Sequence, residues 1–317
     1  MPDIAVHAAF GQEVRASLPG KIQDALREQP YTFGLFGPDL WFMHQPWKRR
    51  EGRGRRMHTT RTGAFLTAVA RHARTATCRE DLFSWLAGFL CHYALDSIVH
   101  PYVIHVTTEQ YHFPRCHMSL EHSLDVLQAR RDGFWGERHP VTDHYFPVPS
   151  LPGSTRQETD AVFTEVYGWQ NAWKALNRSA RGYRRCWRLM ENPKGLAARL
   201  ARLTGHPLLK SLTLSESHFN TLDPENTAHR PWKHSHDDSQ TSCESFPELR
   251  EKARRLAVSL IQAAYGYVFE HSVAEAELAR IIGNNSYLSG LPVDDPRNHR
   301  VSSLLPSGGG AGGGSGF

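Results

Sequence analysis

The 317-residue chain has only five cysteines (Cys78, Cys91, Cys116, Cys186 and Cys243) and no C-x-x-C pair. So odd and scattered a set excludes a disulfide framework and a zinc ribbon, and it fits a reducing compartment. No run of about 20 apolar residues is present. The best candidate, residues 82–104, is interrupted by His92, Asp96 and His100, which a membrane span would hold in hydrocarbon at heavy cost. The start, MPDIAVHAAFGQEVRASLPGK, carries Asp3 and lacks a long apolar core, so no signal peptide is read there. These absences lead us to expect a soluble, cytoplasmic protein with no transmembrane segment. No segment alternates apolar and polar residues with period two, and no internal repeat is present. Charge of either sign is in little excess: 37 Lys+Arg against 32 Asp+Glu give a net +5. That balance is compatible with anionic substrates without being a signature of nucleic-acid binding. With 40% hydrophobic and 22% charged residues, a mainly disordered chain is excluded.

Histidine is abundant, at 19 residues. It is the commonest metal ligand and general base, so its placement directs the search. The periodicity is helical. An amphipathic segment at 11–29 leads into the turn-rich YTFGLFGPDLWF, and KRREGRGRR (48–56) reads as an exposed basic loop. Helical spacing returns over 57–76, with Phe65, Leu66, Val69 and Ala70 on one face. Residues 79–104 form a central buried helix that Pro101 should bend or end near His100. A helix over 115–132 stops at Gly133, a proline-containing surface crossing covers 136–158, and 158–204 is helical with an aromatic face and many exposed arginines. Residues 205–245 are irregular, and 246–282 form the last long helix. The expected fold is all-α: a single helical domain over 1–306, ligand-bearing in 1–132, with a helical extension over 158–282 and a flexible glycine-rich tail at 307–317.

The chemistry centres on CHYALDSIVHPY, where His92, Asp96 and His100 are spaced i, i+4, i+8. Steps of four put the three side chains on one stripe of a helix, drifting about 40° per step. Residues eight apart are about 12 Å apart along the axis, so the stripe suits neighbouring metal sites with the middle carboxylate able to bridge them. The bland alternative is a helix whose buried histidines are merely hydrogen-bonded. Three ionisable groups on an otherwise apolar helix favour metal, because unpaired burial is expensive. HMSLEHSLD adds His117 and Glu121, again i, i+4, on the next helix, with His122 and Asp125 as supporting candidates. His7, Asp39 in GPDLW and His58 in RRMHTTRTG are isolated and mean little individually.

The ordered series His7, Asp39, His58, His92-x-x-x-Asp96, His100, His117-x-x-x-Glu121 resembles the zinc-dependent phospholipase C family, which is related to the single-strand nucleases and 3′-nucleotidases. The resemblance covers about residues 1–130, with a further echo in the loop from Asn226 to Trp232. It implies a multi-helix bundle with a cluster of two or three zinc ions at the bottom of a cleft. Asp39, His58, His92 and Asp96 would hold one zinc, His100, His117 and Glu121 the second, and His7 with Asp96 the third. Asp39 would also be the general base, or the group that orients the attacking water. His100 follows the central aspartate by four residues, as in glycosylphosphatidylinositol-specific phospholipase D, and His105 is the alternative ligand. The expected activity is phospholipase C-like cleavage of a small-molecule or lipid phosphoester, since clustered zinc activates water and stabilises phosphoryl charge. The alternatives are a nuclease or nucleotidase using the same cluster, and a metal-stabilised helical binding protein without turnover.

Four further features have weaker readings. The basic residues Lys48 to Arg56 could draw anionic groups to the cleft. Trp41, Phe42 and Trp47 flank Asp39 as pocket wall or as core, and Trp169 with Trp173 reads as core. His229, His234, His236, Asp237 and Asp238 form a second histidine-rich group without helical spacing.

Overall fold

A computed structural model describes residues 4–45, 52–107, 116–134, 141–148, 150–191, 203 and 223–298. It is an all-α protein whose described residues carry one small hairpin. The glycine-rich tail lies outside the described residues.

The order is α1 (Ile4–Ser17), α2 (Gly20–Ala25), α3 (Glu28–Gly34), a 3₁₀ helix (Gly37–Met43), α4 (Arg53–Thr59), α5 (Thr62–Thr75), α6 (Arg79–His105) and α7 (Cys116–Arg131). Then follow α8 (Val141–Tyr145), α9 (Arg156–Tyr167), α10 (Ala172–Met190), strands β1 (Trp232–His234) and β2 (Asp237–Ser242), α11 (Phe246–Tyr265) and α12 (Glu275–Ile282).

α6 is the axis of the fold, with α1, α3, α5, α7 and α11 packed around it. It is long and apolar enough to cross a membrane, yet 94% of its most apolar stretch is buried inside the protein. It is therefore a core helix, and a fully buried Leu, Phe or Trp contributes about 1.5–3 kcal/mol. Two glycines let α3 reach it. A Cβ on Gly34 would lie 2.3 Å from the Trp85 carbonyl, and one on Gly88 would lie 2.1 Å from that of Tyr31. The close approach brings the chain after α3 against the middle of α6.

Several elements differ from the sequence reading. The stretch 11–29 is divided among three helices at Pro19 and Leu26, and the turn-rich segment after it is largely helical. The basic stretch is not wholly loop: residues 53–59 form α4, while Lys48, Arg49 and Arg50 lie outside the described residues. Pro101 does not end α6, which runs on to His105. Proline removes only the hydrogen bond to the carbonyl four residues earlier, that of Ser97. Gly290 (φ +67) packs directly on that carbonyl, where a Cβ would come within 2.4 Å. The helix expected over 158–204 breaks between α9 and α10 at Gly168 (φ 72), and that over 246–282 breaks at His271 (φ 56). α11 begins at a capping box of Ser245 and Glu248. Residues 205–245, irregular by composition, contain the antiparallel β1–β2 hairpin, which pairs Trp232 with Ser242 and Lys233 with Thr241. Trp232 packs on Tyr102 of α6, 5.5 Å between ring centroids.

Candidate metal centre

Five elements bring ionisable side chains to one buried point. α6 supplies the stripe His92, Asp96 and His100, α1 supplies His7, the 3₁₀ helix Asp39, α4 His58 and α7 Glu121. Each of these seven residues is at most 9% exposed. Six of them, all but His92, line a cavity of about 70 Å³ whose other lining among the described residues is apolar, including Val6, Phe42, Leu95, Val99 and Leu288.

Asp96 is the hub. Its carboxylate lies 3.0 Å from His92 Nε2, 3.4 Å from His7 Nε2, 3.6 Å from His100 Nδ1 and 3.8 Å from His58 Nε2. Asp39 lies 3.0 Å from His58 Nε2 and 3.2 Å from His92 Nε2. His100 Nε2 stands 3.5 Å from Glu121. Two sets of potential ligand atoms converge within 4.8 Å of one another: His7, His92 and Asp96, and Asp39, His58 and His92.

Backbone carbonyls fix the ring orientations. His92 Nδ1 meets the Leu35 carbonyl at 2.9 Å, His58 Nδ1 that of Gly54 at 2.7 Å, and His100 Nδ1 that of Tyr287 at 2.8 Å. A carbonyl only accepts, so each Nδ1 carries the proton and donates it. In the neutral tautomer each Nε2 then presents a lone pair, and these lone pairs face carboxylate oxygens, which are acceptors too. His92 Nε2 and Asp39 Oδ2 are buried without an aligned hydrogen bond, as is His7 Nδ1. Acceptors aimed at acceptors in a dry pocket require positive charge between them. The histidine and carboxylate donors suit zinc.

The electrostatics of the metal-free cluster agree. Burial works to lower the His92 pKa, but Asp96 and Asp39 outweigh it and push it up to about 9. His100 is likewise raised to about 9 against burial, by Asp96 and Glu121. Burial would raise Asp96, yet His100 and His92 hold it well below the carboxylate range. His7 is lowered, by burial and then by His92, on whose ring it stacks at 4.1 Å.

The expected site residues thus fall as follows. His7, Asp39, His58, Asp96, His100 and Glu121 line one cavity, and His92 contacts two of these, Asp39 at 3.2 Å and Asp96 at 3.0 Å. His117 is on α7, but its side chain lies outside the described residues. His100, and not His105, lines the cavity. Asp125 accepts the Val6 backbone N–H at 2.9 Å and so anchors the start of α1, the helix that carries His7. His122 is buried edge-on against Trp187, 4.8 Å between centroids, and burial lowers its pKa to about 4. Trp41 is core, Phe42 lines the cavity and Trp47 lies outside the described residues. Trp169 is buried in the turn before α10, stacked on Tyr167 at 4.6 Å. The second histidine-rich group does not converge. His229 bonds the Cys243 carbonyl, His234 that of Ser289, His236 pairs with Ser235, and Asp237 binds Arg297.

Sequence reasoning missed the carbonyls of Leu35, Gly54 and Tyr287. Main-chain acceptors have no residue type to betray them, and Tyr287 lies far beyond the ligand-bearing part. Gly37 gives a partial signal. Its φ is +42, and a Cβ there would stand 2.7 Å from the His92 ring.

Fold and site together define an all-helical protein with a buried histidine–carboxylate cluster suited to a group of zinc ions. The sequence pattern of the family described as zinc-dependent phospholipase C matches residues 6–176, more than half of the chain. The chain belongs to that family, whose members are zinc-dependent phosphoric-ester hydrolases. No curated protein and no solved structure matches it at a significant level.

Proposed function

We propose that the protein is a phospholipase C-type phosphodiesterase that cleaves a lipid phosphoester with water. The observation that carries this reading is the cluster itself: histidine ring nitrogens and carboxylates converging beside a cavity with an apolar wall, where positive charge has to stand between them. Asp39, His58, His92 and Asp96 would hold one zinc ion, His100, Glu121 and His117 a second, and His7 with Asp96 a third. Bound zinc supplies positive charge to the phosphoryl oxygens and acidifies water.

The chain's own residues do the rest. Asp39 has one carboxylate oxygen without a hydrogen-bond partner. It takes one proton of the water that attacks phosphorus as the bond to the glycerol oxygen breaks, and that oxygen leaves as diacylglycerol after taking a proton from solvent. The Leu35, Gly54 and Tyr287 carbonyls lock three imidazoles before substrate arrives, so little reorganisation is needed in the transition state. Val99, Leu288 and Phe42 keep bulk water from the reacting phosphate. Apart from the cluster, the side chains of the described residues that line the cavity are apolar and offer a base edge no donors or acceptors, which favours a lipid over a nucleotide.

The test is hydrolysis of soluble short-chain phosphatidylcholine by the zinc-loaded protein and by Asp39→Asn. We expect diacylglycerol and phosphocholine from the wild type, and a loss of about a hundredfold or more in the variant with its helical signal kept. Cleavage of single-stranded DNA or 3′-nucleotides with phospholipid left intact would overturn the lipid reading. An Asp39→Asn variant with full activity would remove Asp39 from the mechanism.

A further inference from the structure

α10 has a basic face that the cluster chemistry leaves unexplained. Ala172, Leu176, Ala180, Tyr183 and Trp187 are buried along one side. On the other side Lys174, Arg178, Arg181, Arg185 and Arg188 are all exposed. At about 100° per residue these five fall within roughly 40° of a common line, over about 21 Å of helix. Arg188 binds Asp143, as does Arg184 at the flank of the stripe. Among the described residues Lys174, Arg178, Arg181 and Arg185 have no carboxylate partner. Like charges at helical spacing repel one another, so the row costs stability unless a counter-charge meets it.

The helix that carries the stripe adjoins an element of the cluster. α10 packs on the 3₁₀ helix that carries Asp39 and Phe42, with a Cβ on Gly182 falling 3.6 Å from that of Met43. His44, next to Met43, is held below its usual pKa by burial and then by Arg53 and Arg178, so positive charge runs on from the stripe to the end of that element. Arg53 itself is stacked between Trp41 and Trp169, 4.9 and 4.7 Å from their centroids. Leu189 lies at the same edge of α10 and is 74% exposed. An aliphatic side chain beside a row of cations gains nothing from a nucleic-acid backbone, whereas a bilayer interface receives both.

We infer that the exposed face of α10 seats the protein on the anionic surface of a phospholipid bilayer, with the cleft beside the lipid phosphates. The inference rests on the phospholipase reading for its substrate, but the contact itself is electrostatic and independent of turnover. Each basic side chain at an anionic leaflet contributes about 1 kcal/mol, or about fivefold in binding. Removing three of them should weaken binding about a hundredfold.

The experiment is co-sedimentation of the full zinc-loaded chain with vesicles of phosphatidylcholine, with and without phosphatidylserine. Pelleting is scored whether or not lipid is cleaved, so a failure to bind and a failure to hydrolyse are separate results. We expect binding only when phosphatidylserine is present. It should be lost as salt rises from about 0.1 M to about 1 M, where the Debye length falls from ~10 Å to ~3 Å. The combined variant Lys174→Gln, Arg181→Gln, Arg185→Gln should bind about a hundredfold more weakly, with its helical signal and zinc content unchanged. Charge-retaining Arg181→Lys, Arg185→Lys should bind as the wild type does. Three results would each overturn the inference: equal binding to neutral vesicles, undiminished binding of the glutamine variant, or capture of a single-stranded oligonucleotide through the stripe while both vesicles are ignored. Should the glutamine variant not fold, the lipid and salt dependence of the wild type decides alone.

Discussion

Replacing Asp96 with asparagine keeps the shape of the side chain and removes one negative charge from the centre of the cluster. Four imidazoles have a ring nitrogen within 3.8 Å of that carboxylate, which is 5% exposed. A pair of unit charges about 4 Å apart, at an effective dielectric constant of about 20, interacts by about 4 kcal/mol. A bound zinc ion would carry two positive charges, so about 4 kcal/mol is a lower figure. It corresponds to about a thousandfold in zinc affinity. In the metal-free variant, His92 and His100 lose a principal cause of their raised pKa and return towards ordinary values. The assay is competition for zinc against a chromogenic chelator, with circular dichroism to confirm that both proteins are folded. An Asp96→Asn protein that holds zinc within about tenfold of the wild type would refute the bridging role argued for Asp96.

Three other predictions concern the same cluster. In the metal-free protein the raised histidines bind protons more tightly when folded than when unfolded. Their stabilisation is fully present below about pH 6.5, the unfolded value, and disappears as pH rises through about 9. Zinc needs neutral imidazole, so its stabilisation grows over that window, and melting with and without chelator from pH 6 to 9 should show the two curves diverging. Gly37→Ala combines a left-handed backbone with a Cβ 2.7 Å from the His92 ring, and it should lower stability by about 1–3 kcal/mol and zinc occupancy with it. Asp125→Ala removes the acceptor of the Val6 N–H, which should cost about 1–2 kcal/mol and reduce zinc by about one ion per chain through displacement of His7. Calorimetry and elemental analysis check both substitutions.

The central stripe was legible because four-residue spacing on an apolar helix leaves little else for His92, Asp96 and His100 to do. Glu121 was legible through its four-residue spacing from His117, on a helix that follows His100 by a helix–loop–helix connection. His7, Asp39 and His58 carry no local pattern, and only their order along the chain set them apart. Their meeting depends on tertiary contacts, above all the Gly34–Gly88 approach that delivers the Leu35 carbonyl to His92. The continuation of α6 past Pro101 has no local signal, because the docking of Gly290 on the Ser97 carbonyl involves residues nearly 200 positions apart. The hairpin was missed because β1 and β2 carry almost no apolar alternation. Only Trp232 in β1 is fully buried, and β2 is mostly exposed. The Arg53 stack arose within a stretch whose composition suggested only a solvated loop. Aromatic partners from two distant segments turned its first helical residue inward.

The most direct test of the account is the zinc content of the protein, purified without chelator and without exposure to other transition metals. Two or three zinc ions per chain, falling in Asp96→Asn and in His92→Ala, is the predicted result. A folded chain carrying no stoichiometric zinc, and gaining none when zinc is supplied at neutral pH, would contradict it.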